Sequence, residues 1–192
     1  MRIIKLGGSL LGSSELGHWL KVLAKNHDES TVIVPGGGLF ADAVREAQKL
    51  SGISDACAHR LAVLAMDQFG LVLAGMNQAL ATASEAQEIL QKTALKQTVI
   101  WLPSRMVLAD TRIPMHWQIT SDSLSAWLAA KLNADQLILI KSVHLQNQQP
   151  VNPAMLAQLS RDGLVDACFA EFVGGRSFRT RVLGKQNYTE FA

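Results

Sequence analysis

Near the start of the chain, Lys5-Leu6-Gly7-Gly8-Ser9 combines a cation, two positions without side chains and a hydroxyl at the end of the β-prone run Arg2–Leu6. Glycines let backbone N–H groups approach an anion closely, and a helix beginning just beyond adds a favourable dipole. Alone, the turn reads equally well as a tight β-to-helix connection with an exposed lysine. A second turn, Pro35-Gly36-Gly37-Gly38, closes the next run, Thr31 to Val34, in the same way. Two such turns at the ends of successive buried strands would build one anion-binding crevice at one edge of a sheet. Neither matches GxxxxGKS/T or GxGxxG, which disfavours a P-loop or a dinucleotide fold.

Further on, Asp122 follows Thr120-Ser121 at a helix start, and Lys141 ends another apolar run. An acid in a first turn complements the helix dipole whatever its chemistry, and a strand-end lysine can be plain surface. Residue type alone leaves both readings open at each position. His18, His27, His59, His116 and His144 show no HxxxH or HxH spacing, so no metal site is expected. His116-Trp117, just before the Asp122 helix, lines an acceptor pocket or joins the core. Cys57 and Cys168 lie far apart among apolar neighbours and are expected to be inert core thiols.

Positioning these groups requires a sheet. Thr31 to Val34 and Gln136 to Ile140 are apolar without alternation, the pattern of strands covered on both faces. Between strands come helical periods: Leu16, Trp19, Leu20 and Leu23; then Phe40, Ala43, Val44, Ala47 and Leu50; then Leu124, Trp127, Leu128 and Leu132. A long helix is expected from Asp55 to about Ala81, broken near Phe69-Gly70, and a strand over Thr98 to Leu102. After His144 come a loop over Asn147 to Pro153, a short helix around Ala154 to Ser160, a segment from Leu164 to Val173, and a last strand near Arg181 to Leu183. Strand, glycine turn, helix in succession predicts an α/β protein, a three-layer α/β/α sandwich on a mainly parallel sheet.

The 192 residues fit one domain, with 48% hydrophobic residues, enough for a sizeable core. A net charge of +2, gathered into no block, gives no support to nucleic-acid binding. Apolar runs at the N-terminus are too short for a signal peptide, and no uninterrupted run predicts a membrane span. A cytoplasmic protein is the expectation.

KLGGSLL followed by VIVPGGGLFADAVR resembles the paired opening motifs of the amino acid kinase superfamily, which includes acetylglutamate, aspartate and uridylate kinases. Thr120-Ser121-Asp122-Ser123 with LSAWLAAKLNADQLILIKSV resembles that family's acidic helix start and following strand. The resemblance implies that Lys5 neutralises charge on a transferred phosphoryl group, with Asp122 orienting Lys5 and Lys141. Gly7, Gly8, Ser9, Gly36, Gly37, Gly38 and Ser121 would bind phosphate and acceptor. It further implies ATP and Mg²⁺ as cofactors, a small-molecule substrate and a homo-oligomer.

The match covers residues 1–145, the acceptor and phosphate part, and leaves 146–192 as a shortened nucleotide part. There the family's TDVDG stands as Lys141-Ser142-Val143-His144-Leu145, and Gly174-Gly175-Arg176 is the remnant of a GGMxxK stretch. Within the superfamily, the short length, TSDS, KSV and DGLVDACF look most like the small kinases of methanofuran biosynthesis. Those act on an aminomethylfuran methyl phosphate and make a diphosphate. For a phosphate-bearing acceptor, Arg105, Arg112 and Lys141 are the candidate cations. The alternative is a non-catalytic module of the same fold that binds an anion or nucleotide.

Overall fold

The computed structural model describes residues 1–25, 28–145 and 150–191. Its centre is a sheet of β1 (Arg2–Leu6), β2 (Thr31–Pro35), β3 (Ala81–Ala83), β4 (Val99–Trp101), β5 (Gln136–Lys141) and β6 (Arg179–Gly184). The spatial order is β3-β4-β2-β1-β5-β6 and every pairing is parallel. All strand C-termini therefore meet at one edge. β1 lies between β2 and β5, with Lys5 opposite Val34 on one side and Leu139 on the other. The chain leaves β1 toward β2 and later returns on its opposite side as β5, which makes the end of β1 a switch point where open α/β sheets hold ligands.

Helices cover both faces: α1 (Ser14–Lys25), α2 (Gly38–Ser51), α3 (Asp55–Met76), α4 (Ala86–Ala94), α5 (Ser104–Val107), α6 (Ser121–Lys131), α7 (Pro153–Arg161) and α8 (Phe169–Val173). Strand alternation divides the core in two. Ile3, Val32, Val34, Leu137 and Leu139 pack with Leu124 and Leu128 of α6 and Phe169 of α8. Ile4, Leu6, Ile33, Ile138 and Ile140 pack on the opposite face with Leu16, Trp19, Leu20 and Leu23 of α1. Lys5 continues the Ile3 alternation and Lys141 that of Leu137 and Leu139, so both lysines belong to the face covered by α6.

Several elements depart from the sequence reading. α3 runs unbroken through Gly70 and ends at Met76. A Cβ at Gly70 would lie 2.8 Å from Leu102 Cδ2, so glycine there lets the helix settle on the sheet rather than interrupting it. β3 and α4 follow where no element was expected, because Ala81-Thr82-Ala83 is too short and too weakly apolar to signal a strand. Leu164 to Val173 is helical only from Phe169. Of the apolar stripe expected on α2, Phe40 packs against the core but Leu50 is 81% exposed, and Ala41 is the buried residue of that helix. Cys57 is exposed and is not a core thiol, whereas Cys168 is half-buried and packs against the core. Of the expected loop over 147–153, residues 147–149 fall outside those described, as does His27.

Candidate active site

Lys5, Asp122 and Lys141 converge although the chain separates them widely. Lys5 Nζ lies 2.9 Å from Asp122 Oδ1, and Lys141 Nζ donates to Asp122 Oδ2 at 2.7 Å. All three side chains are nearly sealed from solvent, at 7%, 6% and 13% exposure for Lys5, Asp122 and Lys141. Two ammonium groups share one carboxylate, leaving a surplus positive charge at the C-terminal edge of the sheet. Burial pushes the Asp122 carboxyl up, but Lys5 and Lys141 outweigh it and hold the group below the usual carboxylate range. Lys141 moves the other way: burial and the neighbouring Lys5 ammonium lower it to about 8, against the pull of Asp122 and Asp166.

The two glycine turns are pressed backbone against backbone. A Cβ at Gly8 would meet Gly38 N at 2.1 Å, and one at Gly36 would meet Gly8 N at 2.4 Å. Gly38 adopts φ +54°, in the left-handed region that glycine enters without strain. The Gly7 amide donates to Ile140 O (3.3 Å) and the Gly36 amide to Leu6 O (2.8 Å), so these two tie the turns to neighbouring strands. Ser9 Oγ donates to Ser142 Oγ at 3.0 Å, linking the exits of β1 and β5. A Cβ on Gly7 would stand 3.7 Å from Lys5 Nζ, so the cation lies directly behind the first turn.

In front of these turns a cavity of about 640 Å³ is lined by Gly8, Ser9, Gly37, Gly38, Thr120 and Ser121 at one end. Ala62, Val63, Met66, Ile119 and Leu124 give it apolar walls, and Asp42, Arg45, His59 and Trp117 add polar and aromatic ones. Arg45 donates to Asp42 Oδ1 at 2.8 Å, and its guanidinium stacks 4.5 Å from the Trp117 ring centre. Trp117, expected either in a pocket or in the core, stands in the pocket. Arg105 and Arg112 do not reach this cavity: they pair with Glu85 (2.6 Å) and Asp110 (2.7 Å) along a separate cleft.

Two residues at this site escaped the sequence reading. Asp166, in the C-terminal part, accepts from Thr120 N (2.9 Å), Thr120 Oγ1 (2.8 Å) and Ser123 N (3.0 Å). It thereby caps the turn of α6 that carries Asp122. His59 is buried at 3% exposure in the cavity wall, its Nδ1 3.2 Å from the His116 carbonyl. No local signal marks either one, since their partners lie more than forty residues away.

A wholly parallel sheet with two contacting glycine turns and a buried Lys–Asp–Lys cluster at its C-terminal edge defines the class. The chain belongs to the amino acid kinase family, whose model matches residues 1–153. Among similar proteins is the [5-(aminomethyl)furan-3-yl]methyl phosphate kinase of Methanocaldococcus jannaschii, 36% identical over 146 residues. That alignment covers 74% of this chain and 66% of the relative, so the chain spans just under two thirds of the relative's length. The uridylate kinase of Archaeoglobus fulgidus shares the fold with a TM-score of 0.69 at 18% identity, over 95% of this chain and 89% of that one. The UMP kinase of Ureaplasma parvum does so at 0.67 and 16%, over 95% and 88%.

Proposed function

We propose that this protein is an ATP-dependent phosphotransferase whose acceptor is a small molecule bearing a phosphate, of the aminomethylfuran methyl phosphate type, and whose product is a diphosphate. The observation that carries the reading is the pair of buried ammonium groups held by a single carboxylate behind two glycine turns. That arrangement has unmet demand for anionic oxygens and offers no nucleophile of its own. Phosphoryl transfer needs little else: positioning and charge stabilisation supply nearly all of its catalysis. The relative's printed name supports the acceptor class.

In this reading an acceptor phosphate oxygen forms the new O–P bond as the bond from the terminal phosphorus to the bridging oxygen of the donor breaks, releasing ADP. Lys5 and Lys141 lie where charge on the transferring group must be neutralised. Asp122 fixes both ammonium groups, and the Gly8, Gly37 and Gly38 backbone bounds the phosphate end of the cavity together with Ser9 and Ser121. The glycines let the two turns pack backbone against backbone and so bring both to the phosphate end of the cavity. Mg²⁺ would arrive on the nucleotide phosphates and keep them and water as ligands, since the Asp122 carboxylate is already engaged by two lysines.

A homo-oligomer is part of the same reading. It is supported by the apolar side chains that α2 and α3 leave exposed, among them Leu50 at 81%, Leu71 at 56% and Leu64 at 43%. α3 is long and apolar enough to cross a membrane by length and composition. Its residues Ala58, Val63, Phe69 and Leu73, however, are buried in the core. A cytoplasmic location, where ATP is at hand, agrees with the rest. The deciding experiment is a coupled ADP-release assay with Mg²⁺–ATP and [5-(aminomethyl)furan-3-yl]methyl phosphate, with phosphorus NMR of the product. A diphosphate signal is expected, whereas ATP-dependent release without acceptor or no release at all would refute the assignment.

A further inference from the structure

The cavity's two ends make opposite chemical demands. At the glycine end stand backbone amides and, behind them, cations. On the α3 wall stands His59, whose Nδ1 faces the His116 carbonyl at 3.2 Å. A carbonyl oxygen can only accept, so the ring proton sits on Nδ1. Burial holds the imidazole below its ordinary range, which keeps it neutral. Nε2 is then a bare lone pair, and it has no hydrogen-bond partner although it is buried. Leaving such an acceptor unmet is costly, and native structures rarely do so without a ligand or water.

The surroundings narrow what can meet it. Ala62, Val63 and Met66 on the same helix are apolar and offer no donor. A phosphate oxygen, itself an acceptor, is repelled by the lone pair. Asp42 and Arg45 on α2 pair with each other at 2.8 Å and add no net charge to the wall. A buried acceptor nitrogen in an apolar wall calls for an N–H donor, and the amine of the acceptor class proposed above supplies one.

We infer that His59 is the specificity-determining residue of the acceptor pocket: its Nε2 accepts a hydrogen bond from an ammonium group carried at the end of the acceptor remote from its phosphate. This rests on the acceptor class proposed above and adds the group by which that class is distinguished. It also explains why a histidine is buried in an otherwise apolar stretch of α3.

The test compares [5-(aminomethyl)furan-3-yl]methyl phosphate with (5-methylfuran-3-yl)methyl phosphate, which lacks the amine. Turnover and calorimetric binding are measured for the wild type, His59→Phe and His59→Gln. One charge-assisted hydrogen bond corresponds to a preference of about 10- to 100-fold for the amine in kcat/KM. That ratio should collapse toward one in His59→Phe and recover in part in His59→Gln, whose amide oxygen again accepts. A purely structural histidine would move both substrates together and leave the ratio alone.

Equal use of the two phosphates by the wild type overturns the inference while the kinase reading stands. So does a ratio unchanged in both variants. If the wild type turns over neither phosphate, the acceptor reading fails on its own account, and the binding data still decide the role of His59. Amine-dependent affinity lost in His59→Phe supports it, and affinity indifferent to the amine or to the substitution overturns it.

Discussion

Lys5, Asp122 and Lys141 form a cluster whose charge depends on pH within a workable range, because Lys141 is lowered to about 8 from 10.5. Below about pH 8 its ammonium is present, and phosphate binding at the cluster is supported by two cations. As pH rises through 8 one of them is lost, so kcat/KM should fall with a single-proton limb there. A bound phosphate stabilises the ammonium, so the corresponding limb in kcat should lie at higher pH. Lys141→Arg, whose guanidinium stays charged past about pH 12, should retain activity above pH 9 where the wild type fades. The stability effect has the opposite sign: between about 8 and 10.5 the unfolded chain holds a proton that the folded one lacks, so this group makes folding more favourable as pH climbs. A pH–rate profile beside a pH series of urea melts separates the two. Lys5→Ala removes the cation behind the first glycine turn and should cost about 10²–10³ in kcat, by analogy with the loss of one preorganised donor. Normal turnover in that variant would remove Lys5 from the mechanism.

The elements supply the positions these side chains cannot find alone. Gly8→Ala places a methyl 2.1 Å from Gly38 N, and the obstacle is backbone, which cannot swing aside as a side chain can. The two turns must separate, with a loss of about 1–3 kcal/mol by analogy with overpacking and with turnover abolished. Gly17, inside α1 with open space where its Cβ would go, is the control: Gly17→Ala should raise stability by about 0.5–1 kcal/mol in urea denaturation. Asp166 holds the first turn of α6 through Thr120 and Ser123, and its charge also favours the Lys141 ammonium. Asp166→Ala should cost about 1–2 kcal/mol as a lost cap and move the basic limb of kcat/KM to lower pH, both through its own lost charge and through any slackening of the turn that carries Asp122. The sequence revealed the elements that bear the catalytic candidates because β1, β2 and β5 are built mainly of Ile, Leu and Val and are followed by a glycine turn or closed by Lys141. It concealed β3 and α4, since a three-residue edge strand has no periodicity to read. It also concealed Asp166 and His59, whose roles arise only where distant segments meet.

On the scale of the whole molecule, the segment after β5 has three tasks. It extends the sheet with β6, caps α6 through Asp166, and returns along α1, where Trp19 Nε1 donates to Lys185 O at 2.8 Å and the Trp19 ring meets Phe191. Arg2 lies 5.3 Å from the Phe191 ring centre, so the chain's last turn also covers the start of β1. Its residues beyond 153 lie outside the family match. In the proposed function the donor's phosphates meet the lysines and glycine turns, and donor binding should lean on them more than on the base. Calorimetric titration with Mg²⁺–ATP should give saturable heat in the high-micromolar to low-millimolar range. ADP should bind more weakly than ATP, because it lacks the terminal phosphate that the proposed function assigns to Lys5 and Lys141, and Lys141→Ala should narrow that difference. GTP should compete nearly as well as ATP. A strong preference for adenine would mean that the C-terminal segment builds a base pocket after all. No heat from any nucleotide, with saturable heat from the acceptor phosphate, would instead favour a module that binds its anion without transferring to it.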